Sequence, residues 1–220
     1  VELGAQSMDN GVLAKNRRGH TCEDTVRASK LIQAGGLHLG LQMMTGLYGD
    51  TEQTCIESAK KIIALSPACV RIYPTLVLKD TLLDTLYRTG QYVPQNLEQA
   101  VLLCADLKLL FDDAQIPIIR MGLMTSDNIN PKHDVVAGPY HAAFGELVQS
   151  ELYLRRLKQA VTKDCLVYVH PTSVSAYVGN NKRNIVKMQQ SGFRIQFVQD
   201  ERVLPGEFQI HTGKAADHAS

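Results

Sequence analysis

The sequence predicts an α/β protein built on parallel strands, and three observations carry that prediction. Short apolar runs alternate with longer segments of helical periodicity. The connections from each helix to the next strand are short, which suits right-handed crossovers. The strands end in polar or glycine-bearing residues, as they do where such sheets gather a binding site.

Taken in order, Val1–Gly4 reads as a strand, and Thr21–Ala34 as a helix capped by Thr21, with Val26, Leu31 and Ile32 on its apolar side. Gly35-Gly36 ends that helix. Leu37–Met44 is nearly all apolar and is expected to be a strand buried on both faces. Thr51–Leu65 carries Cys55, Ala59, Ile62 and Ile63 at helical spacing and stops at Ser66-Pro67. Cys69–Tyr73 is a third strand, Leu82–Arg88 a short helix, Asn96–Asp112 a long helix and Ile116–Met121 a fourth strand. The strand ends read Gly4-Ala5-Gln6-Ser7, Thr45-Gly46-Leu47-Tyr48-Gly49-Asp50, Pro74-Thr75 and Gly122-Leu123-Met124-Thr125. Closure as a doubly wound sheet and as part of a (βα) barrel are both open at this level. Neither G-x-G-x-x-G nor G-x-x-x-x-G-K-[ST] occurs, so the usual nucleotide fingerprints are absent.

The Pro- and Gly-bearing stretch Asp127–Tyr140 marks a domain boundary, giving expected divisions at 1–135 and 136–211 with a flexible tail at 212–220. Beyond it, Phe144–Val161 is a helix and Cys165–His170 a strand. Ser173–Tyr177 and Lys182–Gln190 are two short helices, and Phe193–Val198 is a final strand. Glu146 and Glu151 with Arg155 and Arg156 read as ion pairs on an exposed helix face.

Composition bounds the function. Of 220 residues, 45% are hydrophobic and 20% charged, as in ordinary globular proteins, and the net charge of +1 gives no global field toward nucleic acid or membrane. No stretch approaches the roughly 18 apolar residues of a membrane span, and no signal-peptide h-region is seen. Five dispersed cysteines, Cys22, Cys55, Cys69, Cys104 and Cys165, lack metal-like spacing and suit reduced thiols in a cytoplasmic setting. Arg71 and Arg120 lie amid apolar strand residues, where an arginine needs a partner. His133, Asp134 and His141 are spaced too irregularly to read as a metal site.

The blocks VELGAQS, NRRGHT, GLQMMTGLYGDT and VRIYPTLVLKDTLL, in that order, resemble the second half of a radical S-adenosyl-L-methionine domain, nearest to the catalytic-subunit family of Elongator and its bacterial relatives. The resemblance covers roughly residues 1 to 127 and favours the partial (βα) barrel of parallel strands. It implies an enzyme that modifies the wobble uridine of tRNA, using S-adenosylmethionine and a 4Fe-4S cluster. That cluster is held by three cysteines of a C-x-x-x-C-x-x-C loop after the first barrel strand. None of the five cysteines here has such spacing, so the ligands are expected in a missing N-terminal part of the same protein. The chain alone is then expected to be an inactive fragment.

By the same resemblance Gln6 is expected at the methionyl moiety, Arg18 at the cofactor carboxylate and Gln42 at the ribose, in place of an Asp. Thr45 and Gly46 are expected near the adenine, and Arg71 and Tyr73 near the reaction centre. Oxygen-independent coproporphyrinogen oxidase shares the strand-end Gln and the Arg, and stands as an alternative. A non-catalytic RNA-binding or scaffold protein is a second alternative.

In the second domain, VSAYVGNNKRNIVKM resembles the helix–G-x-x-G–helix element with which KH domains hold single-stranded RNA, its last Gly replaced by Lys182. Gly179, Lys182, Arg183 and Lys187 are the expected RNA contacts, tRNA being the expected partner. A parallel sheet cut short leaves an unpaired edge, so self-association is expected too.

Overall fold

The computed structural model describes residues 1–123 and 131–211. They form two compact units, Val1–Gly145 and Glu146–Ser220.

The first unit holds β1 (Glu2–Gln6), α1 (Asn10–Lys15), α2 (Cys22–Ala34), β2 (Gly40–Thr45), α3 (Glu52–Ala64), β3 (Cys69–Pro74), β4 (Val77–Leu78), α4 (Leu82–Arg88), α5 (Leu97–Asp113), β5 (Ile118–Met121), α6 (Pro131–Asp134) and β6 (Val135–Ala137). Strands β1, β2, β3 and β5 make a parallel sheet in that order. A four-residue pairing of β4 with β6 is antiparallel and stands apart. Since β6 pairs with β4, the segment 136–145 packs with the first unit, ten residues beyond the division placed from Pro and Gly content.

Capping explains why the helices start where they do. Thr21, Thr51 and Asn96 each close a capping box, with Asp24, Thr54 and Gln99 returning the bond to the cap backbone. Asp9 caps α1, a short helix that the sequence pattern did not reveal.

The sheet has one dry face. Leu41, Met43, Val70 and Ile72 are at most 1% exposed, and α3 packs there with Cys55, Ala59 and Ile62 inward while α5 lies beside it. The other face carries Gln42, Met44, Arg71 and Tyr73, all half-buried. The expectation that Leu37–Met44 is buried on both faces is therefore corrected: β2 alternates, and only its odd-numbered residues are covered by helices. The apolar side read for α2 is corrected too. Its buried residues are Thr25 and Ser29, while Leu31 is 69% exposed.

The second unit holds most of α7 (Phe144–Ala160), then β7 (Cys165–Val169), α8 (Val174–Val178), α9 (Arg183–Gln190), β8 (Ile195–Gln199) and β9 (Phe208–His211). Its sheet runs β8-β7-β9, with β7 parallel to β8 and antiparallel to β9, a strand not anticipated from the sequence. The core is Leu154, Leu157, Val167, Val169, Tyr177 and Met188 with their neighbours. Tyr177 stacks on Tyr153 with ring centroids 4.0 Å apart. Glu151 does not lie on an exposed face as expected. It is 7% exposed, 3.2 Å from Arg155 Nε and 4.0 Å from Arg183 Nη2. Arg156 pairs instead with Glu207 at 2.6 Å and sits over the Phe208 ring. Among the described residues no helix is long and apolar enough to cross a membrane.

Candidate functional site

The half-buried face of the first sheet and the carboxyl ends of its strands bring most of the expected first-unit residues together. Register places Gly4, Gln42, Arg71 and Arg120 side by side across four strands. Two of the strands carry glycine where a side chain would fill this face. Glu2, Gly40 and Cys69 form the next row, and Glu2 reaches past Gly40 to bring its Oε1 within 3.0 Å of Arg71 Nε. The Arg71 N–H makes no aligned hydrogen bond, so this contact is electrostatic. The Tyr73 hydroxyl first, then Glu2, stabilise the charged guanidinium and push its pKa up. Arg71 thus has the partner the sequence called for, whereas Arg120 is exposed.

Gln6 ends β1 through a bulge. The register slips between Gly4 and Gln6, and Gln6 takes a φ of 62°. Its side chain folds back over Gly4, where an added Cβ would run into Gln6 Nε2. That fold brings Gln6 Oε1 within 3.3 Å of Gln42 Nε2, which donates to it. Arg18 comes from the loop after α1, flanked by left-handed Arg17 and Gly19. Its Nη2 reaches the sulfur of Met44 at 3.0 Å. Gln6 thus meets Gln42 and Arg18 meets Met44, two contacts made along the half-buried face of β1 and β2, on which Gln42 and Met44 are successive side chains.

Thr45 and Gly46 lie differently. Thr45 is on the dry face, fully buried, and its hydroxyl donates to Gln95 at 3.4 Å. The Gly46 carbonyl accepts from the Tyr92 hydroxyl at 2.6 Å. A Cβ on Gly46, whose φ is +69°, would meet Gln95 at 2.7 Å. The loop is further tied by Asn16, which donates to the Tyr48 carbonyl at 2.9 Å and accepts from its N–H at 3.1 Å. Asn16 and Gln95 were not singled out in the sequence; only the three-dimensional meeting of loops shows them. Met43-Met44 reads from the sequence as core, which fits Met43, whereas Met44 is half-buried and meets Arg18.

The donor set suits S-adenosylmethionine. An exposed guanidinium can grip a carboxylate, and two side-chain amides can bond an ammonium or hydroxyls. Glycine at positions 4 and 40 leaves room for the Gln6 side chain to fold over one and the Glu2 side chain to lie against the other. An iron–sulfur cluster does not fit this chain's cysteines. Cys55, Cys104 and Cys165 are buried, burial pushes the Cys104 thiol up to about 12 and the Cys55 thiol higher still, and no metal-ligating group of three forms among the described residues, His133, Asp134 and His141 included.

In the second unit Gly179 joins α8 to α9 with a φ of +75°, and a Cβ there would lie 2.9 Å from Ser150 Oγ. Asn181 and Lys182 follow in the left-handed region. Lys182 is exposed, while Arg183 and Lys187 are half-buried and engaged. Asn184, 1% exposed, donates to the carbonyls of Ser150 and Tyr177, each at 3.0 Å.

Parts of the chain are similar to known proteins. Residues 67–154 match the radical SAM C-terminal domain. The tRNA uridine(34) acetyltransferase of Methanocaldococcus jannaschii is 36% identical over 104 residues, 46% of this chain and 19% of that protein. Elongator complex protein 3 of Danio rerio is 33% identical over 97 residues, 42% of this chain and 17% of that one. The solved archaeal Elp3 of Methanocaldococcus infernus, lacking its N-terminal residues 1–46, is similar with a TM-score of 0.58 and 28% identity, over 72% of this chain and 35% of that one. The chain thus spans about a fifth of the length of the curated relatives named here.

Proposed function

We propose, for a chain that resembles the radical S-adenosylmethionine enzymes of the Elongator catalytic-subunit kind, that it holds part of S-adenosylmethionine on its first unit within an enzyme acting on the wobble uridine of tRNA. The first sheet then belongs to a partial (βα) barrel, its half-buried polar face turned to the interior. When bound at a 4Fe-4S cluster, S-adenosylmethionine supplies one-electron radical chemistry; the cluster's ligands are assigned to residues outside this chain. The 220-residue chain is accordingly expected to bind the cofactor without turning over.

Within that reading Arg18 holds the carboxylate in a fixed pose, and Gln6 and Gln42 orient the methionyl and ribose groups. Arg71, paired with Glu2 and beside Tyr73, places a charge-balanced ion pair on the floor near the reaction centre. Thr45 and Gly46 act through backbone shape, since the Thr45 side chain is turned away from that face. The observation that supports the assignment is the contact of Gln6 with Gln42, together with that of Arg18 with Met44, the next side chain on the same face of β2.

The second unit is read as an RNA-contacting, KH-like module in which Gly179 permits the turn and Lys182 meets phosphate. Lys187 and Arg183 add charge behind it, Arg183 chiefly by completing the buried pair with Glu151. Unpaired cysteines fit a reducing cytoplasmic setting, and β1 and β5, the edges of the parallel sheet among the described residues, favour self-association or packing on further chain.

Equilibrium dialysis against S-adenosylmethionine tests the first unit. The chain should bind, and Arg18→Gln should weaken binding by about tenfold or more, the value of a charge-assisted contact. Equal binding by both proteins, or none by either, would remove the assignment.

A further inference from the structure

The loop carrying Arg18 and the strand end carrying Gln6 are distant in sequence, and one side chain joins them. His20 is half-buried. One ring nitrogen, Nδ1, lies 3.2 Å from the carbonyl oxygen of Arg18, and the other, Nε2, lies 3.2 Å from the carbonyl oxygen of Ala5. Ala5 is 1% exposed and immediately precedes the bulged Gln6. On the other side of His20 stands Thr21, locked in the capping box of α2. The residue thus immediately precedes a capped helix start, and its imidazole faces two backbone carbonyls, one from the Arg18 loop and one from the end of β1.

We infer that His20 is the positioning residue of this site: its ring fixes the backbone of Arg18 against the backbone that carries Gln6, setting the spacing of guanidinium and amide before a ligand arrives. Asn16 does the corresponding work on the far side, tying the end of α1 to Tyr48 after β2. Between them the two side chains hold the Arg18 loop to β1 and to the loop after β2. Arg17 and Gly19, both with positive φ, turn the chain sharply on either side of Arg18, and such a turn keeps its shape only where its surroundings over-determine it. Ligand affinity gains from such preorganisation because less ordering remains to be done on binding. The inference rests on the cofactor reading given above and adds a residue that touches no ligand itself.

The test compares the 220-residue chain with His20→Ala, His20→Gln and His20→Asn. Glutamine can place a donor near the Nε2 position and asparagine near the Nδ1 position, so each restores one contact of two. Two quantities are read: amide hydrogen exchange over residues 5–9 and 16–20, and affinity for S-adenosylmethionine by dialysis. His20→Ala should speed exchange in both segments together and weaken binding about tenfold, the worth of one modest hydrogen bond, since a ring with a single N–H donates to one carbonyl at a time and meets the other by contact. The glutamine and asparagine variants should fall between it and the parent. Thermal midpoints, measured alongside, identify any variant that fails to fold, and the conservative pair then carries the comparison. Exchange that stays slow in both segments, or affinity unchanged when exchange rises, overturns the inference. Should the parent chain bind no S-adenosylmethionine, the cofactor reading falls, and the exchange data alone decide whether His20 clamps the two loops.

Discussion

Gly122 ends β5 with a φ of +86°, and a Cβ there would sit 2.7 Å from Phe144 Cβ. Neither the backbone angle nor the close ring leaves room for a side chain. Gly122→Ala is expected to cost about 1–3 kcal/mol and to lower the thermal midpoint by a few degrees per kcal/mol; a midpoint equal to the parent's would contradict this. Two titrating groups belong at the same scale. Burial, then Asp50, raises Tyr92 from 10.0 to about 12, and burial raises Cys104 from 9.0 to about 12. The folded chain holds both protons more tightly than the unfolded chain does. Their contribution is whole below about pH 9 and is lost as pH rises toward 12. Urea midpoints should therefore fall between pH 8 and pH 11, and the double variant Tyr92→Phe, Cys104→Ala should flatten that fall. An unaltered slope would argue against it. Single residues were only partly legible in the sequence. Gln6 and Arg18 could be named, but the bulge that folds Gln6 over Gly4 depends on slippage against β2, which no local pattern records.

Elements were easier to read, because helix caps and apolar spacing are local. Leu82–Arg88 fell where its residues indicated, and α3 and α5 differ from expectation by a residue or so at their ends. What escaped was α1, a six-residue helix started by the Asp9 cap, and the β4–β6 pairing and β9, short strands fixed by tertiary pairing instead of propensity. The connection between α8 and α9 yields a prediction with two signs. Lys182 sits in the left-handed region at a φ of 58° with no side-chain cap. Lys182→Gly should relieve that strain and raise stability by up to about 1 kcal/mol. In the proposed RNA contact, the same variant and Lys182→Glu should weaken tRNA retention and reduce its salt dependence by about one phosphate contact. Unchanged retention, measured by filter binding across a salt series, would remove the main support for RNA contact by this unit. Asn184→Ala, in contrast, should cost about 1–3 kcal/mol by stranding the carbonyls of Ser150 and Tyr177.

Across the whole molecule the sequence showed the α/β alternation but misjudged how much of it is covered. Continuous apolar residues in Leu37–Met44 suggested two buried faces; the structure leaves Gln42 and Met44 on a half-buried one. The difference has a physical source, since a lone strand reveals its hydrophobicity and not the number of layers packed against it. Among the described residues β1 and β5 are edges of the parallel sheet, and Leu31 on α2 is exposed beside Val26. Sedimentation should show concentration-dependent association, reduced in Leu31→Glu; a monomer at every concentration would count against open edges that seek a partner. The claim beneath all of this is that Gln6, Gln42 and Arg18 form a single grip for S-adenosylmethionine. The most direct check follows the side-chain amide resonances of Gln6 and Gln42 by NMR as the ligand is added to the 220-residue chain. A shared grip predicts that both shift along one saturating curve and that Arg18→Gln moves the midpoint of both to higher ligand concentration. Resonances that stay still at saturating ligand, or that titrate with different midpoints, would contradict it.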